Sequence, residues 1–111
     1  MGKFIKGDVV VVPFPFSDLS QSKRRPALVL AVLDGNDLIL VQITSQSIYD
    51  SHAVKILEND FEDGTLNKPS NIRPNKIFTA DEGIILYKSG HINETKIQEV
   101  TAKIISIFTK V

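Results

Sequence analysis

Gly7 to Leu30 reads GDVVVVPFPFSDLSQSKRRPALVL. Two apolar runs, Val9 to Val12 and Ala27 to Leu30, flank a polar loop. Apolar runs of this length bounded by turn residues read as buried strands. Pro13 and Pro15 have no amide hydrogen to give to a ladder, so the first strand, Asp8 to Pro13, must end or reach an edge there. The loop from Ser17 to Lys23 ends in Arg24-Arg25-Pro26 and delivers two guanidiniums to the start of the second strand. A guanidinium stays charged, and its planar fork matches two phosphate oxygens. The pattern points to a grip on a phosphodiester.

Working outward, Asp34-Gly35-Asn36 is a hairpin turn, because Gly and Asn accept positive φ. It joins strand Pro26 to Leu33 to strand Asp37 to Thr44. A polar stretch follows, Ser45 to Ser51, then a short strand near Ala53 to Leu57. Glu58 to Lys68 reads as a loop. Asn71 to Thr79 reads as a strand with an edge or bulge at Pro74, and Gly83 to Tyr87 as a further short strand. From Asn93 the period changes. Ile97, Val100, Ile104, Ile107 and Phe108 share one helical face,. Asn93 is a good N-cap, and Ile92 with Ile97 forms a hydrophobic staple. Short strands plus one terminal helix fit an SH3-like barrel, an OB-like barrel or an α+β sandwich.

The totals set limits. The 111 residues suit a single domain spanning 1–111, and 42% hydrophobic content can build one core,. Thirteen basic residues balance thirteen acidic ones. Nucleic-acid binding must therefore come from a local patch and not from bulk charge. The absence of cysteine excludes disulfides and thiolate zinc sites,. His52 and His91 lack acidic neighbours in ligand spacing, so neither a metal nor a cofactor is expected. His52 reads as solvated and His91 as structural or exposed. No signal peptide or run of ~20 apolar residues is visible, which implies a soluble cytoplasmic protein.

Three polar clusters stand at strand ends: Arg24-Arg25, Thr44-Ser45 and Thr79-Ala80-Asp81. If they meet in space, as a family resemblance carried by Gly7 to Leu30 implies, they suit RNA cleavage without metal. A base removes the ribose 2′-hydroxyl proton, and the oxygen attacks phosphorus. An arginine and hydroxyls stabilise the phosphoryl oxygens, and an acid protonates the leaving 5′-oxygen. Each residue also has a plainer reading. Thr44 and Ser45 suit a strand end, Asp81 beside Gly83 suits a turn, and the arginines suit a solvated face. Phe14 and Phe16 read as core or interface residues.

Gly7-Asp8, the strand Val9 to Val12, the polar loop, Arg25-Pro26 and the strand Ala27 to Leu30 together resemble the PemK/MazF family of toxin endoribonucleases. The resemblance implies a mainly β, SH3-like small barrel with a C-terminal helix. It implies a sequence-specific endoribonuclease acting on single-stranded RNA, a homodimer with the RNA groove across it, and an antitoxin whose acidic segment blocks that groove. It carries Arg25 and Thr44 over as catalytic positions, with Ser45 adjacent. Asp81 is a further catalytic candidate, and Lys23, Arg24, Arg73 and Thr79 are candidate RNA contacts. Many relatives have Arg-Thr-Ile-Asp where this chain has Phe78-Thr79-Ala80-Asp81. Phe78 therefore either stacks on a base or fills the core. The same barrel serves proteins that poison DNA gyrase by binding, and the apolar end Ile104 to Val111 keeps that alternative open. A regulatory, non-catalytic barrel is a third reading.

Overall fold

The computed structural model describes residues 3–14, 23–46 and 51–110. The side chains of Phe14 and Lys23, the residue Phe16 and most of the Ser17 to Lys23 loop lie outside the described residues. The middle of the Ser45 to Ser51 stretch does as well.

Among the described residues seven strands form one antiparallel sheet in the order β4-β6-β3-β2-β1-β7-β5. They are β1 (Asp8–Phe14), β2 (Lys23–Val32), β3 (Asp37–Thr44), β4 (Val54–Ile56), β5 (Phe61–Gly64), β6 (Ser70–Asp81) and β7 (Tyr87–Ile92). Helix α1 (Glu94–Thr109) follows. The fold is a curled sheet with one terminal helix, as the SH3-like barrel reading expects.

Period-two alternation divides the strands between two apolar layers. Val9, Leu28, Val41, Ile43 and Ile72 join Ile97 and Val100 of α1 in one cluster. Val10, Val12, Ala27, Val29, Leu38 and Leu40 form the other, against Phe4, Phe78, Ala80 and Ile85. Burial of each such Val, Leu or Ile contributes about 1.5–3 kcal/mol. The sheet curls because one cluster also holds Ile56 of edge strand β4 and Phe61 of edge strand β5. The two edges thus meet over one core.

Pro74 marks a bulge, as its missing amide hydrogen requires. Ile77 opposes Val41 and Ile72 opposes Ile43, so Arg73 to Lys76 face the single residue Gln42. The helix begins where Asn93 Oδ1 accepts from Lys96 N at 2.8 Å, and Ile92 and Ile97 are both buried in the same cluster.

Two readings of the sequence need correction. The segment Glu58 to Lys68 is not all loop. It holds a 3-10 turn at Glu58–Asp60, closed by Leu57 N–H to Asp60 Oδ2 at 2.8 Å, and then β5. Gly83 to Tyr87 is not a strand. Asp81 Oδ2 accepts from Gly83 N at 2.6 Å and starts a 3-10 turn, Glu82–Ile84, so β-pairing resumes only at Tyr87.

Asp8 and His91 explain the Gly-Asp start of the first strand. Asp8 is 1% exposed. Its Oδ2 accepts from Ile5 N at 2.9 Å and its Oδ1 lies 2.8 Å from His91 Nδ1. Gly7, at φ +98°, lies so close to Ile97 and His91 that a Cβ would collide with both. His91 is structural. His52 is half-buried and not fully solvated.

Candidate active site

The registers of β1, β2 and β3 decide what Arg25 meets. Ala27 opposes Gln42, Leu28 opposes Val41 and Val29 opposes Leu40. Continued by two residues, that register sets Arg25 opposite Thr44. Directly opposed residues project to the same face, with Cβ atoms about 4.5–5.5 Å apart. On the other side Arg25 pairs with Val12 of β1. A strand-end arginine is thus held on β1 and lies in the same hollow as the end of β3.

The turn after β3 is fixed as well. Thr44 is 5% exposed, and its Oγ1 accepts from Gln46 N at 3.2 Å. Asn71 Nδ2 donates to the Gln46 carbonyl at 3.0 Å. The Thr44 hydroxyl keeps its own hydrogen for a ligand oxygen.

Arg24, Arg25, Thr44 and Ser45 line one open hollow of about 300 Å³. Its other wall is the β5–β6 crossover, Thr65 to Lys68, with Tyr87 and Ser89 of β7. Arg24, Arg25 and Lys68 bring three cations, and no carboxylate or imidazole is among the described lining. A neutral chain therefore carries a local cationic site, as RNA binding requires. Arg25 Nε is buried and has no hydrogen-bond partner among the described residues. An unmet buried donor costs about 1–3 kcal/mol, which an anionic ligand would offset.

The third cluster does not join this hollow. Thr44 pairs with Asn71, whereas Asp81 pairs with Asp37 at the opposite end of β3. Seven residues along a strand span roughly 23 Å. Asp81 is the cap of a 3-10 turn and is not placed to act as acid at Arg25. Thr79 opposes Ile39, and Arg73 sits in the β6 bulge. Neither lines the hollow. Phe78 opposes Leu40 and packs on the second cluster, so the core reading of this ring holds. Sequence reasoning missed Thr65, Asn67, Lys68, Tyr87 and Ser89, because the crossover after β5 and the pairing of β7 with β1 bring them beside Arg25. No group of His, Cys, Asp and Glu suited to a metal occurs among the described residues.

The sequence profile of the PemK-like, MazF-like toxins of type II toxin–antitoxin systems matches residues 5–108. The chain belongs to this family. Its architecture agrees. A mycobacterial endoribonuclease solved with its cognate antitoxin matches with a TM-score of 0.77, over 97% of each chain at 11% identity. MazF in the MazE–MazF complex of Deinococcus radiodurans matches with a TM-score of 0.75, over 95% of each chain at 18% identity. A Mycobacterium tuberculosis MazF toxin matches with 0.72, over 91% of this chain and 95% of that one at 15% identity. At these identities the likeness is one of fold. No curated protein matches in sequence. As a PemK/MazF-type toxin the chain has Arg25-Pro26 at the start of β2 and Thr44 at the end of β3. Among its described residues no helix is long and apolar enough to cross a membrane.

Proposed function

We propose that this toxin is an endoribonuclease that cuts single-stranded RNA in the cytoplasm at a short sequence, without a metal. One observation carries the reading. Arg25 presents a buried, unpartnered Nε–H in a cationic hollow and shares a sheet face with Thr44. The scissile phosphate sits on this pair. As the 2′-oxygen attacks, charge builds on the phosphoryl oxygens, where the Arg25 fork and the Thr44 hydroxyl stabilise it. Ser45, Arg24 and Lys68 supply further donors along the backbone. With no carboxylate or imidazole in the described lining, water takes the 2′-hydroxyl proton and returns one to the leaving 5′-oxygen, so the products are a cyclic phosphate and a 5′-hydroxyl. Asp81 has no part in this step.

The partners follow from family membership and charge. An antitoxin with an acidic segment suits a hollow lined by three cations. The similar mycobacterial endoribonuclease was solved in complex with its cognate antitoxin. A second copy of the chain covers the apolar surface at the end of α1, where Ile105 is 55% and Phe108 73% exposed. The same exposure is what a gyrase-binding barrel would need. Parallel assays of RNA cleavage and gyrase supercoiling separate the two. Incubation with a long single-stranded RNA in excess EDTA tests the nuclease directly. Cuts at a recurrent sequence with 5′-hydroxyl ends support it, and strict dependence on magnesium contradicts the mechanism.

A further inference from the structure

The wall of the hollow opposite Arg25 is a rigid crossover. Thr65 N–H donates to the Ser89 carbonyl at 3.3 Å, and Ser89 Oγ donates to the Thr65 carbonyl at 2.6 Å. Asn67 N–H donates to Thr65 Oγ1 at 3.0 Å. Gly64, at φ +72°, lies so close to the Ser89 carbonyl that no side chain fits between them. These contacts pin the segment to β7. They also hold Asn67 in the left-handed region, at φ +67°, with its side chain exposed on the rim. Left-handed backbone is uncommon outside glycine, and asparagine is among the residues that tolerate it.

Two further features lie beside Asn67. Tyr87 lines the same hollow and is 53% exposed. Behind the crossover lies a second hollow of about 270 Å³, lined by Leu57, Phe61, Leu66 and Pro69, which shares Thr65 to Lys68 with the first. Unstacked RNA bases settle on aromatic faces and are read at their edges by hydrogen bonds. A carboxamide offers one donor and one acceptor side by side and pairs bidentately with adenine.

We propose that Asn67 selects the nucleobase next to the scissile phosphate, taking the donor–acceptor edge of adenine, with Tyr87 as its stacking platform. This rests on the endoribonuclease reading and names the specificity determinant of that site. The phosphate on Arg25 and the base on the crossover would lie across one hollow, so selection and cleavage share a single bound nucleotide.

The test compares the full chain with its Asn67→Gly and Asn67→Asp variants. Glycine keeps the positive φ and deletes the carboxamide. Aspartate keeps the shape and removes the donor. Cut sites are first mapped on a long RNA. Rates are then measured on two oligonucleotides that differ only in the base beside the cut. We expect adenine there in the unmodified chain, and a fall of about 10- to 100-fold in the adenine preference for both variants. Tyr87→Leu is expected to slow both oligonucleotides alike. An unchanged preference in the Asn67 variants, or a site without adenine, overturns the inference and leaves the nuclease reading standing. Weakened antitoxin binding with unchanged preference reassigns the crossover to protein contact and overturns it too. No cleavage by the unmodified chain removes both.

Discussion

His91 Nδ1 lies 2.8 Å from Asp8 Oδ1, joining β7, the last strand before α1, to the first strand. Lys88 Nζ approaches the same oxygen at 3.5 Å, and Glu62 Oε1 lies 3.9 Å from His91 Nε2. Asp8 is thus the buried hub of strands β1, β7 and β5. Asp8→Ala strands the Ile5 amide and the imidazole and is expected to destabilise the fold by about 2 kcal/mol or more. Urea unfolding measures it. A midpoint unchanged from the parent chain would show that the hub contributes nothing.

Gly64→Ala combines a forbidden approach to the Ser89 carbonyl with a left-handed backbone. The expected loss exceeds about 1 kcal/mol. RNA cleavage should fall by more than stability predicts, because the crossover would shift against Arg25. Wild-type cleavage in a folded Gly64→Ala protein would argue that this wall takes no part in the site.

Much of the fold was legible because strong local signals agree with it. Val9 to Val12, Ala27 to Leu30 and Leu38 to Ile43 are apolar enough to be strands in any sheet, and Asp34-Gly35-Asn36 turns the chain between the last two. Asn93 and the stripe from Ile97 mark the helix. Strands β5 and β7 were not legible. FEDG of β5 carries one apolar residue, and YKSGHI of β7 also lacks an apolar run. The run Ile84 to Leu86 looks like a strand, but the cap of Asp81 on Gly83 coils its start. At the site, Arg25 and Thr44 could be found because each follows or precedes an apolar strand. Which end of β3 receives Asp81 depends on the antiparallel register with β6, which local pattern does not encode. The crossover residues were hidden for the same reason. They are neighbours of Arg25 only because β5 and β6 lie on opposite sides of the sheet.

The N-cap can be tested alone. Asn93→Ala deletes the acceptor for Lys96 N and is expected to cost about 1 kcal/mol, read as a lower denaturation midpoint with an unchanged slope,. Cleavage should survive, since α1 is not among the lining of the hollow. Loss of cleavage with full folding would assign the helix a role in the site.

Phe108 is the most exposed large apolar side chain described, at 73%. With Ile105, Leu30 and Ile77 it borders an apolar groove of about 340 Å³. Phe108→Lys should change stability by no more than about 0.5 kcal/mol as a surface substitution. It should also convert a dimer to monomer in sedimentation at micromolar concentration. A variant that stays dimeric would place the contact between copies on another face.

In the proposed reaction Arg25 stabilises the charge of a cleaving phosphodiester. The direct measurement is the single-turnover rate of Arg25→Ala and Arg25→Lys on a mapped RNA site in EDTA, with folding verified by unfolding midpoint. The rate should fall by about 100-fold or more for alanine, with only partial recovery by lysine, which lacks the planar fork. A folded Arg25→Ala protein that cuts at the parent rate would contradict it.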